Sequence, residues 1–242
     1  MARRLFYVPS VRDGRAHLEG EAAQHLRKVL RAEAGQKYEI SDGSGLYLAE
    51  ISGFGKHRVE FLALERLEPA RAPARVRLYA ALIKFDHFEW MIEKATELGV
   101  DRITPVAAFR TGQGLDRAAV KRHERWERIA AEAGQQSRRL APPRVDAVAD
   151  FEEAVRDRAP CRLFLEEERG APPVLASLPA GLAEIALLAG PEGGWDPRER
   201  TAAKEAGWLP VSLGPQVLRA ETAAITAVGI VMAAAAARSD SA

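Results

Sequence analysis

Two stretches near the C-terminus, LLAGPEGGWDPRE (Leu187–Glu199) and VSLGPQVLRAETA (Val211–Ala223), contain the residue types from which a small-ligand site is built. In each, an apolar run stops at Gly-Pro. Gly193 and Gly194 can take positive φ and let a ligand approach the main chain. Asp196-Pro197-Arg198-Glu199 then spells a helix start: Asp196 as cap, Pro197 at the first helical position, Glu199 placed to bond back. The first loop is therefore held at both ends while its middle offers backbone N–H and C=O groups. Neither G-x-G-x-x-G nor G-x-x-x-x-G-K-[ST] is present, so neither phosphate-cradling pattern applies. A Gly-Pro turn by itself simply ends a strand. Two of them at neighbouring strand ends predict one cleft walled by both loops, with its ligand unnamed.

The elements around these loops set that geometry. VRLYAALIK, DRITPV, RLFLEE, EIALLA and WLPVSL read as strands. They alternate with helices over FDHFEWMIEKATELG, Asp116–Gln136, Asp150–Arg158, Pro197–Ala206 and Ala220–Ala237. This alternation predicts an α/β fold with a parallel sheet covered on both faces, whose ligands gather at the carboxyl ends of the strands. Glu68–Arg75 (EPARAPAR) breaks the pattern. Before it, Tyr38–Ser41, Leu46–Ser52 and Val59–Leu64 read as strands, the first two joined by Asp42-Gly43-Ser44-Gly45. EAAQHLRKVLRAEAG reads as a helix with Leu26, Val29 and Leu30 facing the core and Gly35 as its stop. The domains are expected over residues 1–70, small and β-rich, and 76–242.

The 242 residues are 47% hydrophobic and 29% charged, which excludes a disordered chain. Cys161 is the single cysteine, so no internal disulfide forms, as suits a reducing cytoplasm. MARRLFYVPS lacks the apolar core of a signal peptide. The apolar run Ala223–Ala237 is shorter than the roughly 20 residues of a membrane span and reads as a buried helix. Net charge is +1, with a basic excess between residues 110 and 145 and an acidic excess after them. The basic segment fits either an anionic polymer or a solvated helix face. His17, His25, His57, His87 and His123 show no metal-ligand spacing, so no metal is expected.

HLRKVLR (His25–Arg31), EKATELGVDRITPV (Glu93–Val106), EAGQQSRR (Glu132–Arg139), LAGPEGG (Leu188–Gly194) and LGPQVLRAETA (Leu213–Ala223) resemble the SPOUT-class 16S rRNA (uracil-N3)-methyltransferases of the RsmE family. The resemblance implies a PUA-like RNA-binding β-barrel, then a SPOUT methyltransferase domain with a trefoil knot in its C-terminal part. The implied methyl donor is S-adenosylmethionine. It would lie between the loops after three strands, against Leu165, Glu166, Leu188, Ala189, Gly190, Pro191, Glu192, Gly193, Leu213, Gly214, Val217, Leu218 and Ala220. Adenine wants apolar walls and edge hydrogen bonds, which Leu188, Leu213, Val217, Leu218 and free amides can supply. The implied partners are 16S rRNA or the small ribosomal subunit and a second copy of the chain, with no membrane. Departures from the family pattern are Trp195 for Phe, Gln216 for a basic residue and Gly134-Gln135 for Ala-Glu.

Methyl transfer to uracil N3 is an in-line displacement in which N3 also loses a proton. Arg219 fits stabilisation of the resulting imide anion, and equally an ion pair with Glu221 or Glu192. Glu221 fits proton acceptance, and also a plain role at a helix N-terminus. Arg110, Arg138, Arg139, Lys84, Lys28 and Arg31 are the candidates for RNA contacts, each with a solvated surface as its alternative. Trp195 fits either a base-stacking platform or a cap on the cleft. Two alternative functions remain: a SPOUT methyltransferase for another RNA site, and a non-catalytic RNA-binding assembly factor.

Overall fold

Short alternating strands punctuated by glycine build the N-terminal part of the chain. The computed structural model describes residues 4–168, 170–181 and 183–239. Its contacts divide it into two units, one of residues 1–71 with 134–142, the other of residues 72–133 with 143–242. In the first, β1 (Leu5–Tyr7), β2 (Arg15–Glu19), β3 (Lys37–Ser41), β4 (Leu46–Phe54) and β5 (Arg58–Leu67) form a sheet in the order β1-β3-β4-β5-β2. Leu18, Ile40, Ala49, Ile51, Val59 and Phe61 fill its core. At the β3–β4 turn the Asp42 carboxylate accepts from Val11 N, Ser44 N, Ser44 Oγ and Gly45 N. Burial opposes its ionisation, but these hydrogen bonds outweigh that and bring its pKa down to about 2.

The helix after β2 departs from its expected register. α1 (Gly20–Gln24) continues as a wide π turn over His25–Val29, in which Leu30 N donates to His25 O. The extra residue in that turn rotates the next side chains around the helix axis. Leu26 is buried, whereas Val29, expected in the core, is 65% exposed. The helix also stops earlier than Gly35: Arg31, at φ +50°, supplies the left-handed residue just past its end.

Gly134–Pro142 belongs to this first unit although it lies some 60 residues beyond the linker. Tyr7 N donates to Gln135 Oε1, Tyr7 Oη to Arg139 O and Ser41 Oγ to Leu140 O. These bonds account for the Gly134-Gln135 departure. A Cβ on residue 134 would come within 2.6 Å of Tyr7 Oη, and Gln135 receives the β1 amide.

In the second unit β6 (Arg75–Ala81), β7 (Arg102–Ala107), β8 (Arg144–Val145), β10 (Cys161–Leu165), β11 (Glu184–Ala189) and β12 (Leu209–Val211) make a parallel sheet ordered β12-β10-β11-β6-β7-β8, with β9 (Ala149–Asp150) also on β7. Its central strands are buried on both faces, the near-continuous apolar pattern a covered parallel sheet requires. Helices α2 (Phe85–Glu97), α5 (Phe151–Ala154) and α6 (Pro197–Glu205) come after strands as expected. The long charged helix expected over Asp116–Gln136 is instead two, α3 (Leu115–Val120) and α4 (His123–Gln136). The break at Lys121-Arg122 lets Trp126 turn inward, fully buried against Phe85 and Phe88.

The last helix, α7 (Ala220–Ser239), buries Ala224, Ala227, Val228, Val231 and Ala235 in the main core. Ile225, Gly229, Ile230 and Met232 remain half-buried, so one stripe is covered rather than every face. By length and composition α7 could cross a membrane, but its buried stripe packs on α2, β6 and β11.

Candidate active site

The loops after β10, β11 and β12 converge on a cleft of about 560 Å³, within the range of small-ligand sites. Its floor is Trp195. The indole is 2% exposed, stacks on Phe164 at 4.9 Å between ring centroids, and donates Nε1–H to Leu165 O at 3.0 Å. Glycine is needed opposite it, since a Cβ on Gly190 would sit 2.9 Å from the indole. Trp195 is therefore a structural floor, and its expected alternative as a base-stacking platform fails because the ring is buried.

The β11 loop is held as its spelling predicts. Arg198 N donates to Asp196 Oδ1 and Asp196 N to Glu199 Oε2, each at 3.0 Å, closing a capping box. Glu199 Oε1 also accepts Phe109 N at 2.8 Å, and Arg110 reaches Gly193 O at 3.0 Å. Gly194 alone of the glycine pair has positive φ, at +68°, and a side chain there would collide with Glu167.

Glu166 lines the cleft and also braces its loop. Its carboxylate takes Arg200 through both Nε and Nη2, and also accepts from Glu167 N and Glu168 N. The Arg200 and Glu166 side chains are 13% and 5% exposed, a buried pair with its hydrogen bonds made. Arg200 also donates to Trp195 O, so one guanidinium ties the β10 loop to the cleft floor.

Leu165, Glu166, Gly190, Pro191, Glu192, Leu213, Gly214, Val217, Leu218 and Ala220 line the cleft together with Arg219 and Glu221. Leu188, Ala189 and Gly193 do not. Leu188 and Ala189 point into the two core clusters on either side of the sheet, and Gly193 lies against Arg110. The apolar wall expected of Leu188 falls instead to Leu165 and Val211. Lys84, one of the RNA candidates, also lines the cleft, just ahead of α2.

Sequence reasoning missed His87. It lines the cleft from the first turn of α2, and its Nδ1 lies 2.8 Å from Glu221 Oε1. Glu221 itself is 4% exposed, so its expected ion pair with Arg219 is replaced by a bond to the imidazole. The signal was thin: His87 and Glu221 are 134 residues apart.

Among the other RNA candidates, Arg110 is exposed beside the β11 loop. Arg138, at φ +60°, has Glu39 at 3.7 Å. Lys28 faces a shallow hollow with Arg27, Lys56 and His57, and Arg31 is exposed at the helix end. Among the described residues, no group of three His, Cys, Asp or Glu side chains is placed to hold a metal ion.

Comparison with known proteins places this geometry. An RNA methyltransferase domain model matches residues 70–232, and an RNA methyltransferase PUA domain model matches residues 18–64. The chain is 34% identical over 242 residues to the ribosomal RNA small subunit methyltransferase E of Mycobacterium bovis, covering 96% of this chain and 92% of that one. The chain belongs to the ribosomal RNA small subunit methyltransferase E family. Two solved structures of similar proteins carry S-adenosylmethionine. One is the methyltransferase E of Neisseria gonorrhoeae, with a TM-score of 0.85, 29% identity and coverage of 94% and 95% of the two chains. The other is a methyltransferase of Legionella pneumophila, with a TM-score of 0.88, 31% identity and coverage of 97% and 98%. Within this family, the convergence of three loops onto one cleft acquires a chemical meaning.

Proposed function

We propose that this methyltransferase E family member transfers a methyl group from S-adenosylmethionine to N3 of a uridine in the 16S rRNA of the small ribosomal subunit. One observation carries the reading: the β10, β11 and β12 loops form a cleft of nucleoside size, about 560 Å³, walled by Leu165, Val211, Leu213 and Leu218 beside the glycines Gly190 and Gly214. The residues present fit the donor. Leu165, Val211, Leu213 and Leu218 give an apolar wall for an adenine, the backbone around Gly190 and Gly214 offers edge hydrogen bonds, and the carboxylates of Glu167 and Glu192 suit a cationic ligand. When bound, the donor supplies an electrophilic methyl on a positive sulfur.

The protein's own groups do the rest. Arg219, exposed at the cleft ahead of α7, is placed to donate to a uracil carbonyl and favour the imide anion, though it cannot take the proton. Arg110 and Lys84 in the second unit, and Lys28, Arg31, Arg138 and Arg139 in the first, supply cations for RNA phosphates. The half-buried apolar stripe of α7, with Ile225, Ile230 and Met232, supports a homodimer. The path from edge strand β12 to α7, which returns to β6 and β11, supports a threaded C-terminal segment. A ribosomal substrate places the enzyme in the cytoplasm.

Two measurements test the reading. Calorimetry is expected to find binding of S-adenosylmethionine, and its absence at millimolar ligand would leave only an RNA-binding role. Mass-spectrometric mapping of rRNA from cells lacking the gene should show one uridine N3 methyl missing from 16S rRNA. A mark lost elsewhere would assign a different target.

A further inference from the structure

Uracil N3 carries a proton, and the cleft must provide somewhere for it to go. Arginine does not deprotonate in proteins, which removes Arg219 from consideration. Glu221 lines the cleft but is only 4% exposed with one oxygen held by His87, so the imidazole, at 29% side-chain exposure, is the more open of the two. Glu166 is locked onto Arg200. Lys84 is exposed and is placed among the cations for RNA phosphates.

Glu167 and Glu192 are the carboxylates that suit the cationic donor, which leaves His87, and its surroundings prepare it. Nδ1 faces a carboxylate oxygen at 2.8 Å. An ionised carboxylate only accepts, so beside it the neutral ring carries its hydrogen on Nδ1 and Nε2 keeps its lone pair. A buried acid that fixes the tautomer and orientation of an imidazole is the arrangement by which histidine serves as a general base. Nε2 lies 3.8 Å from the Asp86 carboxylate, which is too long for a hydrogen bond and 78% exposed. The other charged groups around the cleft are Lys84, Glu166, Glu167, Glu192 and Arg219.

Resting on the methyltransferase reading, we propose that His87 accepts the N3 proton, with Glu221 as the positioning residue that orients its ring. The N3–H bond breaks with its proton passing to Nε2. The nitrogen electron pair forms the new bond to the methyl carbon, and the sulfur–methyl bond breaks with its electrons remaining on sulfur. The imidazolium charge is balanced by Glu221, and the proton is later released to water.

The first test needs no turnover. Nitrogen NMR of the free protein should show His87 as the Nδ1–H tautomer, and E221A, which leaves no acceptor for Nδ1–H, should lose that preference. An Nε2–H tautomer in the wild-type protein overturns the proposal. The second test is kinetic. H87Q and H87R should each lose about 10²-fold or more in kcat, while calorimetric binding of S-adenosylmethionine and the KM for 30S particles stay unchanged. The wild-type kcat/KM should show an acid limb that H87Q lacks. H87R can still hold Glu221 but cannot take a proton. Wild-type kcat in H87R, with the acid limb retained, reduces His87 to a tie between α2 and α7. If the wild-type enzyme methylates no rRNA at all, the functional reading fails first and the proposal with it.

Discussion

Replacing Trp195 by Phe tests whether the cleft floor acts through one hydrogen bond. The ring that remains can still stack on Phe164, but the indole N–H that meets Leu165 O at 3.0 Å is lost. Both residues are buried, so the carbonyl loses this partner. Such an unpaired group costs about 1–3 kcal/mol. The smaller ring also leaves a void, and the two effects add to about 2–4 kcal/mol. For a unit of this size that lowers the melting temperature by about 4–16 °C. Leu165 ends β10 and walls the cleft, so S-adenosylmethionine should also bind more weakly. Calorimetric unfolding and titration measure both. W195A should cost more, about 3–5 kcal/mol, because the stack is lost as well. A W195F protein with wild-type melting and wild-type affinity would refute the assignment of Trp195 as the floor.

The remaining predictions concern the supports around the site and in the first unit. R200M leaves Glu166 buried without its partner and should destabilise by about 3–5 kcal/mol in urea denaturation, with R200K only partly restoring a bond made by two guanidinium nitrogens. Because the folded pKa of Asp42 is about 2, below its unfolded value, its contribution is present above pH ~4 and is lost as pH falls toward 2; acid unfolding of wild type against D42N should show this loss only in wild type. G134A should lower stability despite the better helix propensity of alanine, since its Cβ meets Tyr7 Oη. The Y7F/G134A double variant should recover part of the loss, and thermal melts of both compare them.

The loops were readable because their information is local. Asp196, Pro197 and Glu199 cap a helix through bonds spanning three residues, and the resulting box forms as spelled. Gly190 directly follows β11 as its apolar run predicts, whereas β12 ends at Val211, three residues short of Gly214 and not at Leu213 as expected. Periodicity likewise located the principal strands of the second unit, because burial on both faces leaves a run of apolar residues. It failed where geometry was irregular. One extra residue in the turn at His25–Val29 puts Val29 in solvent, and a break at Lys121-Arg122 divides a helix that its charged pattern made continuous.

Composition and local pattern thus determined by themselves an α/β chain with two punctuated loops, and family motifs supplied the chemistry those loops serve. Tertiary structure alone decided which side of a strand faces the cleft, and so moved the apolar wall from Leu188 to Leu165 and Val211. It alone joined Gly134–Pro142 to the first unit, turned Glu166 toward Arg200 and brought His87 to Glu221. Each of these depends on contacts between residues dozens of positions apart. Their partners are fixed by how the sheet folds back on itself, and no periodicity along the chain records that.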